Sequence, residues 1–197
     1  MQKHSSVLRI SSLAIALVTL FSFGLSGCTT TLPNQNSSPR VDRNKIASDA
    51  DSALSKLYEN APSARQLVRR AKGVLVFPSV LQAGFVVGGE YGKGVLRVGD
   101  VNEEYLQLVA GSVGWQWGAQ SKAVIMLFMT QEALDKFRNS NGWEVGANAT
   151  VAVATVGANG DIDTHTIQQP IIGFVTTNAG LMAGISLQGA KISKINH

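Results

Sequence analysis

The sequence predicts an α+β domain in which N-terminal helices pack on a curved, mostly antiparallel, glycine-rich β-sheet or barrel. Three observations predict this fold class. Residues 42–72 show helical periodicity, the residues after Gly73 form short β-branched or aromatic runs separated by glycines, and one helical segment interrupts those runs. Eighteen glycines lie between Gly73 and Gly189, and glycine within strands favours sharp bending and close backbone approach.

The first predicted helix covers residues 42–59, with Asp42 as its N-cap. Its apolar residues recur at helical spacing along one face, which should pack against the sheet. These residues are Ile46, Ala50, Ala53, Leu54 and Leu57.

A second helix is predicted to begin near Pro62 and to be closed by Gly73. Its apolar face would consist of Ala64, Leu67, Val68 and Ala71. A neighbouring face would carry three basic residues, and our hypothesis is that they bind a lipid headgroup; the alternative is that this face is only solvated. The three basic residues are Arg65, Arg69 and Lys72.

Eight short runs with strand character follow Gly73, and regular short strands with glycine turns indicate an antiparallel sheet or barrel. The runs are residues 74–77, 84–87, 95–98, 105–110, 123–129, 150–156, 171–175 and 184–187. One helix interrupts them over residues 131–138, with Thr130 as its N-cap. Its apolar face would be formed by Ala133, Leu134 and Phe137.

The N-terminus has the order of a secretory signal. Lys3 and Arg9 give a basic start, and an apolar run over residues 10–25 leads to Leu25-Ser26-Gly27-Cys28. This last run resembles the lipobox of bacterial lipoproteins. The resemblance implies cleavage between Gly27 and Cys28 and lipid attachment, such as palmitate, to the Cys28 thiol.

Two other interpretations of the N-terminus remain, an ordinary signal peptide with an unrelated cysteine and a transmembrane helix. The apolar run is shorter than the ~20 residues that a membrane span needs. We therefore expect residues 1–27 to be a signal peptide and residues 28–40 to be a lipidated N-terminus with a flexible tether. Residues 41–197 would be the folded domain. Residues 29–40 are polar and contain two prolines, which is typical of disorder.

Composition restricts the classes of function. The formal net charge is +4, but residues 40–72 hold eight basic and four acidic residues, whereas residues 73–197 hold seven basic and nine acidic ones. The basic character is therefore local, and no arginine-rich arm or zinc-ligand spacing indicates nucleic acid as a partner. Cys28 is the only cysteine, so the domain must be stable without an internal disulfide.

Motifs that could carry chemistry are weak. Residues 88–94 resemble a phosphate-binding loop, but Gly94 follows Lys93 where Ser or Thr is needed, so a hairpin turn is the better interpretation. On a strand, Asp161, Asp163 and His165 would share one face and could bind a divalent cation, although a turn and a solvated strand edge explain them as well. His165 is the only imidazole away from the termini, and no nucleophile motif accompanies it. We therefore expect neither enzymatic activity, nor a bound metal, nor a cofactor.

Trp115 and Trp117 alternate onto one predicted strand face. They could form an aromatic contact surface for lipid or a partner, or pack in the core against the helices.

Three segments of the chain, in order, resemble the SYLF domain, a lipid-binding family that is also known from a yeast actin-patch protein. They are residues 71–89, residues 111–120 and residues 180–189. The resemblance extends over roughly residues 44–195 and implies a membrane-lipid-binding module; eukaryotic members bind phosphoinositides and some bind actin. In this chain Thr176-Thr177-Asn178 stands where those members usually carry a basic residue between hydroxyl residues.

The sequence therefore predicts a non-enzymatic, lipid-binding lipoprotein of the cell envelope. Thr29, rather than Asp, follows Cys28, which favours the outer membrane facing the periplasm over retention at the inner membrane. Membrane lipid is the expected partner. The alternative is an envelope scaffold or protein-interaction module in which the sheet face binds a protein.

Overall fold

The computed structural model describes residues 42–84, 87–113, 118–155, 162–182 and 185–195. Residues 42–197 form a compact unit of their own, which we expect to fold without residues 1–41. Its helices are α1 (Arg43–Asn60), α2 (Ala64–Arg70), α3 (Gln131–Arg138) and α4 (Thr164–Ile167). Its strands are β1 (Gly73–Gly84), β2 (Val87–Val98), β3 (Val101–Val113), β4 (Gly118–Phe128), β5 (Trp143–Glu144), β6 (Ala152–Val153), β7 (Ile171–Thr177), β8 (Gly180–Leu181) and β9 (Lys191–Lys194).

The strands form one curved sheet in the order β5-β9-β3-β2-β1-β4-β7-β6, with β8 paired to β7. The pairs are antiparallel except that of β6 with β7. Two helices precede this sheet, so the predicted α+β class is confirmed.

The two faces of the sheet bury different layers because side chains alternate along a strand. Leu75 and Phe77 of β1 point to the inner face, where they join the main core cluster together with Leu134 and Phe137 of α3. Val76 lies between them in sequence and therefore points to the outer face, which α1 covers. The inner face is thus closed by α3 and the sheet itself, and the outer face by α1.

Helix α1 confirms the prediction from periodicity. It begins after Asp42, whose carboxylate accepts a hydrogen bond from the amide of Lys45 at 3.0 Å. All five predicted stripe residues are buried, namely Ile46, Ala50, Ala53, Leu54 and Leu57.

Helix α2 is shorter than predicted. It ends at Arg70, because Ala71 is extended with ψ 141°. Gly73 does not close the helix but begins β1, where a side chain at this position would collide with Leu134 of α3. Lys72 therefore lies outside the helix, and its amide donates to the carbonyl of Phe128 at 2.7 Å.

The glycine run at residues 88–94 was predicted to be a hairpin turn, and this is wrong. All seven residues lie within β2, paired with β1 and β3. Gly94 is required there by close packing, since a Cβ atom would collide with the Val76 carbonyl and the Phe77 ring. The predicted strand at 84–87 instead spans the end of β1 and the start of β2.

The C-terminal half differs more from the prediction. Helix α3 has the predicted bounds, and Thr130 caps it by accepting a hydrogen bond from the amide of Ala133 at 3.2 Å. In the described part of the run at 150–156, residues 150–155, only the two residues of β6 form a strand, and residues 185–187 lie outside the strands. Sequence reasoning missed β5, β8, β9 and α4.

Within the described ranges, no helix is both long and apolar enough to span a membrane.

Candidate functional site

Helix α1 packs on the outer face of the sheet, against β1, β2, β7 and β8, and leaves an open region on each flank. One row of paired residues on this sheet runs across five strands through Tyr105, Val95, Val76, Ile125 and Phe174. The guanidinium of Arg43, at the start of α1, lies 5.3 Å from the ring centroid of Tyr105. The two flanks have different chemistry.

On one flank a groove of about 680 Å³ lies between α1, α2 and the turn from β2 to β3. Tyr58 of α1 and Arg97 of β2 both line it, and Arg69 enters it from α2. Further lining residues include Asp51, Asp100 and Asn102. We call this region the basic groove.

Three arginines gather around Tyr58: Arg69 and Arg97 line the basic groove with it, and Arg65 lies beside its ring without being part of the lining. The guanidinium carbon of Arg65 lies 4.5 Å from the Tyr58 ring centroid, within cation–π range. Burial raises the pKa of the Tyr58 hydroxyl, while the positive charges of Arg65, Arg97 and Arg69 act in the opposite direction. Three guanidinium groups therefore act on the same side chain.

Arg97 is held firmly and is the least available of the three arginines. It donates to the Asp51 carboxylate at 2.6 Å, to the Ala47 carbonyl at 2.9 Å and to Asn102 at 2.8 Å. Its charge is largely balanced by Asp51. Arg97 therefore helps to hold α1 on the sheet, and it leaves Arg65 and Arg69 to face the solvent.

The structure brings together two of the three residues predicted to bind a headgroup. Arg65 and Arg69 are exposed on α2, and Arg69 forms no ion pair with any residue that the structure describes. Lys72 is exposed but follows the end of the helix, so the prediction that all three share a helix face is wrong. Arg97 was missed because its proximity to α2 depends on strand pairing, which local periodicity does not reveal.

On the other flank of α1 lies a pocket of about 260 Å³ that is rich in hydroxyl groups. Ser79 and Ser121 lie in it with their hydroxyl oxygens 3.0 Å apart. Lys56 of α1 reaches Asn178, with Nζ 3.5 Å from Oδ1. A basic group thus meets the Thr176-Thr177-Asn178 segment from another element of the fold.

The predicted strand arrangement of Asp161, Asp163 and His165 can be compared with the structure only at its described residues. Asp163 is the N-cap of the short helix α4 and accepts from the Thr166 amide at 3.2 Å, so the strand geometry assumed for a metal site is wrong. Among the described residues, no group of three or more His, Cys, Asp or Glu side chains could hold a metal ion. Gly27, Cys28, Trp115, Trp117 and Asp161 lie outside the described residues.

Comparison with known proteins agrees with the resemblance noted in the sequence. A family model described as Ysc84, Las17-binding protein actin regulator, matches residues 109–196. The SH3 domain-containing YSC84-like protein 1 of Bos taurus is 26% identical over 129 residues, which is 63% of this chain and 38% of that protein. Its counterparts in Mus musculus and Xenopus laevis are 27% identical over the same length, with the same shares of each chain.

The chain thus spans 38% of the length of these relatives. The family match begins within β3 and continues through β9, so it includes two of the three segments that carry the SYLF resemblance. Over residues 109–196, this chain is similar to the Ysc84 family.

Proposed function

We propose that the protein is a non-enzymatic lipoprotein of the bacterial envelope and that its basic groove binds the headgroups of anionic membrane lipids. The convergence of Arg65 and Arg69 beside Tyr58 is the observation that carries this proposal. Residues 109–196 are similar to the Ysc84 family. The resemblance of this chain to the SYLF domain implied lipid binding, and the two together support the proposal.

The chemistry of the basic groove suits a phosphate-bearing headgroup. Guanidinium groups offer a planar fork of donors that matches phosphate oxygens. Asp51 is already bound to Arg97, and Asp100 is the other acidic residue in the lining, so the positive charge of the site comes mainly from α2 and the residues next to it. Residues 61–72 contain four basic and no acidic residues, and the exposed Arg70 and Lys72 add positive charge close by.

The anchoring part of the proposal depends on the sequence before the domain. Cleavage between Gly27 and Cys28 would leave Cys28 as the lipidated N-terminus, and Thr29 favours the outer membrane facing the periplasm. The tether over residues 29–40 could then reach at most ~40 Å. This length allows the basic groove to touch the membrane in which the lipid is inserted.

Vesicle co-sedimentation of residues 29–197 tests the headgroup site. We expect the double variant Arg65→Gln/Arg69→Gln to bind vesicles of phosphatidylglycerol roughly thirtyfold more weakly at low salt, since each basic residue near an anionic surface contributes about 1 kcal/mol. The difference should shrink at physiological ionic strength, where the Debye length is about 8 Å.

The matched control is Lys136→Gln/Lys194→Gln, which removes the same amount of charge from two exposed lysines elsewhere. It should bind like the wild type. Equal binding by the Arg65→Gln/Arg69→Gln variant, with its thermal unfolding unchanged, would contradict the headgroup site. Absence of binding by the wild type would contradict the lipid-binding function itself.

The second candidate function is an envelope scaffold or protein-interaction module. It is favoured by one observation, a row of exposed apolar residues on the outer face of the sheet, Leu81, Tyr91 and Val109. The family description names Las17 binding and actin regulation for that family. For this chain the corresponding proposal is an envelope protein as partner.

A further inference from the structure

The pocket on the second flank of α1, opposite the basic groove, is built from separate elements of the fold. Its volume is about 260 Å³. Ser52 and Lys56 line it from α1, Ser121 and Thr176 line it from β4 and β7, and Asn178 closes one side from the turn between β7 and β8. We call this region the hydroxyl pocket.

A β-bulge in β1 shapes one wall of the hydroxyl pocket. The pairing of β1 with β4 shifts by one residue, so that Pro78 and Ser79 stand together opposite Ala123. The hydroxyl oxygen of Ser79 lies 3.0 Å from that of Ser121. Bulges are frequent beside functional sites, where they redirect a side chain.

Thr176 is a buried polar residue in the wall of this pocket. It pairs with Ala123, whereas its neighbour Val175 belongs to the inner core cluster, so Thr176 faces outward towards α1. Thr176 is only 3% exposed, and its hydroxyl forms no hydrogen bond with any residue that the structure describes. Buried hydroxyl groups are normally hydrogen-bonded. The open volume of the pocket is therefore where Thr176 meets its partner.

The hydroxyl pocket carries one positive charge that no neighbouring carboxylate balances. Asp49 of the lining is paired with Lys45 at 2.8 Å, and Lys122 of the lining is paired with Glu90 at 2.8 Å. Lys56 forms no ion pair within the described ranges of the chain. A ligand with a negative charge would supply the missing partner.

The polar groups that remain available are hydrogen-bond donors. Within the pair of Ser79 and Ser121 one hydroxyl donates to the other, which leaves one O–H free. The Lys56 ammonium has several N–H donors, and the Asn178 amide oxygen, 3.5 Å away, accepts from one of them. The Thr176 hydroxyl adds a further donor. This set suits a ligand that offers acceptor oxygens and a negative charge.

We propose that the hydroxyl pocket binds a small soluble phosphate, either inorganic phosphate or the phosphate group of a small ester. A phosphate group presents several strong acceptor oxygens, and lysine binds it as a point charge. Because Thr176 is almost fully buried, a phosphate that contacts it lies inside the protein rather than at a membrane surface. The inference does not depend on lipid binding by the basic groove.

The size of the ligand limits the affinity. For a ligand as small as inorganic phosphate, the maximum binding energy per atom sets the tightest dissociation constant at about a few micromolar. Lys56, Ser79 and Ser121 are exposed at the mouth of the pocket, where water competes for them. Binding should therefore be weaker than this limit, and a titration must extend into the millimolar range.

NMR titration of isotope-labelled residues 29–197 with sodium phosphate, at an ionic strength held constant with sodium chloride, tests the proposal. The amide signals of Ser121, Thr176 and Asn178 should shift and saturate. Lys56→Gln and Thr176→Val should each weaken binding roughly tenfold or more, as expected for the loss of a hydrogen bond to a charged group.

Two further variants serve as controls. Thr176→Ser keeps the hydroxyl and should bind phosphate within a few-fold of the wild type. Lys136→Gln removes an exposed lysine from α3 and should bind like the wild type. If Thr176→Val does not fold, Lys56→Gln carries the same test, because Lys56 is exposed on α1.

A wild type whose signals at the hydroxyl pocket do not shift in millimolar phosphate overturns the proposal. Undiminished binding by a folded Thr176→Val variant or by Lys56→Gln does so as well. Phosphate binding that is lost in Arg65→Gln/Arg69→Gln and kept in Lys56→Gln would place the anion in the basic groove instead.

A comparison of soluble and lipid phosphate identifies the source of the ligand. Glycerophosphate should shift the same signals as inorganic phosphate, and Lys56→Gln should bind phosphatidylglycerol vesicles like the wild type. If Lys56→Gln weakens vesicle binding as strongly as Arg65→Gln/Arg69→Gln, the pocket binds a lipid headgroup and the assignment to a soluble ligand is wrong. Phosphate binding by a wild type that ignores vesicles would support the hydroxyl pocket while contradicting the lipid-binding function.

Discussion

The guanidinium of Arg65 lies over the ring of Tyr58, 4.5 Å from its centroid, and so joins α2 to α1. A cation–π contact at an exposed site contributes about 0.5–1 kcal/mol. The contact fixes where the Arg65 charge is presented, beside the half-buried Tyr58 and close to Arg69 and Arg97. The basic groove therefore has a preformed wall rather than a set of independent flexible arginines.

We expect the stability of the wild type to fall more steeply in alkali than that of Tyr58→Phe. Burial raises the pKa of Tyr58 in the folded protein, and an unfolded tyrosine has a pKa of about 10. The folded state thus keeps its proton over a pH range in which the unfolded state loses it. This contribution is complete below about pH 10 and is lost as the pH rises through the folded pKa.

Urea unfolding between about pH 9 and pH 11 measures this difference. Tyr58→Phe is matched to the wild type for this comparison, because it removes only the hydroxyl and keeps the aromatic ring. Parallel stability curves for the wild type and Tyr58→Phe would show that burial does not shift the proton equilibrium of Tyr58.

Gly94→Ala should destabilise the domain by roughly 1–3 kcal/mol, the range for overpacking a filled core. The added methyl group would overlap the Val76 carbonyl oxygen and would lie 2.5 Å from the Cδ1 atom of Phe77. Phe77 is fully buried. Gly142→Ala is the control, because a Cβ atom there meets nothing within 4 Å. The free energies of unfolding in urea should differ clearly between the two variants, and equal values would contradict the close approach of β1 and β2.

Phe137→Ala should cost about 3–5 kcal/mol of stability, as is typical for removing a buried aromatic ring. The Phe137 ring lies 4.9 Å from that of Phe128 and 5.4 Å from that of Trp143, so it joins α3 to β4 and β5. Lys136→Ala on the exposed face of α3 should change the stability by far less. Similar unfolding midpoints for the two variants would be inconsistent with α3 closing the inner face.

The helices could be predicted from the sequence because their signals are local. Asp42 and Thr130 both cap helices within three residues of themselves, and each apolar stripe repeats at helical spacing. The glycine-rich part lacks such signals. Whether residues 88–94 form a turn or a strand depends on their pairing with β1 and β3. The sequence of the run itself does not reveal that pairing.

In the candidate site, too, only the residues that share one helix could be predicted from local sequence. Arg65 and Arg69 share a helix face and were predicted together, but the end of α2 at Arg70 removed Lys72 from that face. Arg97 enters because β2 carries it beneath α1, where it meets Asp51, 46 residues away in sequence. The strand β9 was missed because its four residues are held by pairing with β3 rather than by their own pattern.

Cys28→Ser in the full-length chain should abolish lipid attachment. The thiol is the acceptor that the lipobox-like run implies, and serine cannot replace it as a thioether. We expect loss of labelling by radioactive palmitate, and a chain that is either an uncleaved precursor or found outside the detergent phase on detergent partitioning. The wild type should be labelled and should partition into detergent, with a mature N-terminus at Cys28 by mass spectrometry.

The two other interpretations of the N-terminus give different results in the same measurement. With an ordinary signal peptide, wild type and Cys28→Ser would both be cleaved, unlabelled and absent from the detergent phase. With a transmembrane helix over residues 10–25, both would be uncleaved and would partition into detergent without label. Only lipid attachment makes the wild type and Cys28→Ser differ, because it alone requires the sulfur atom of Cys28.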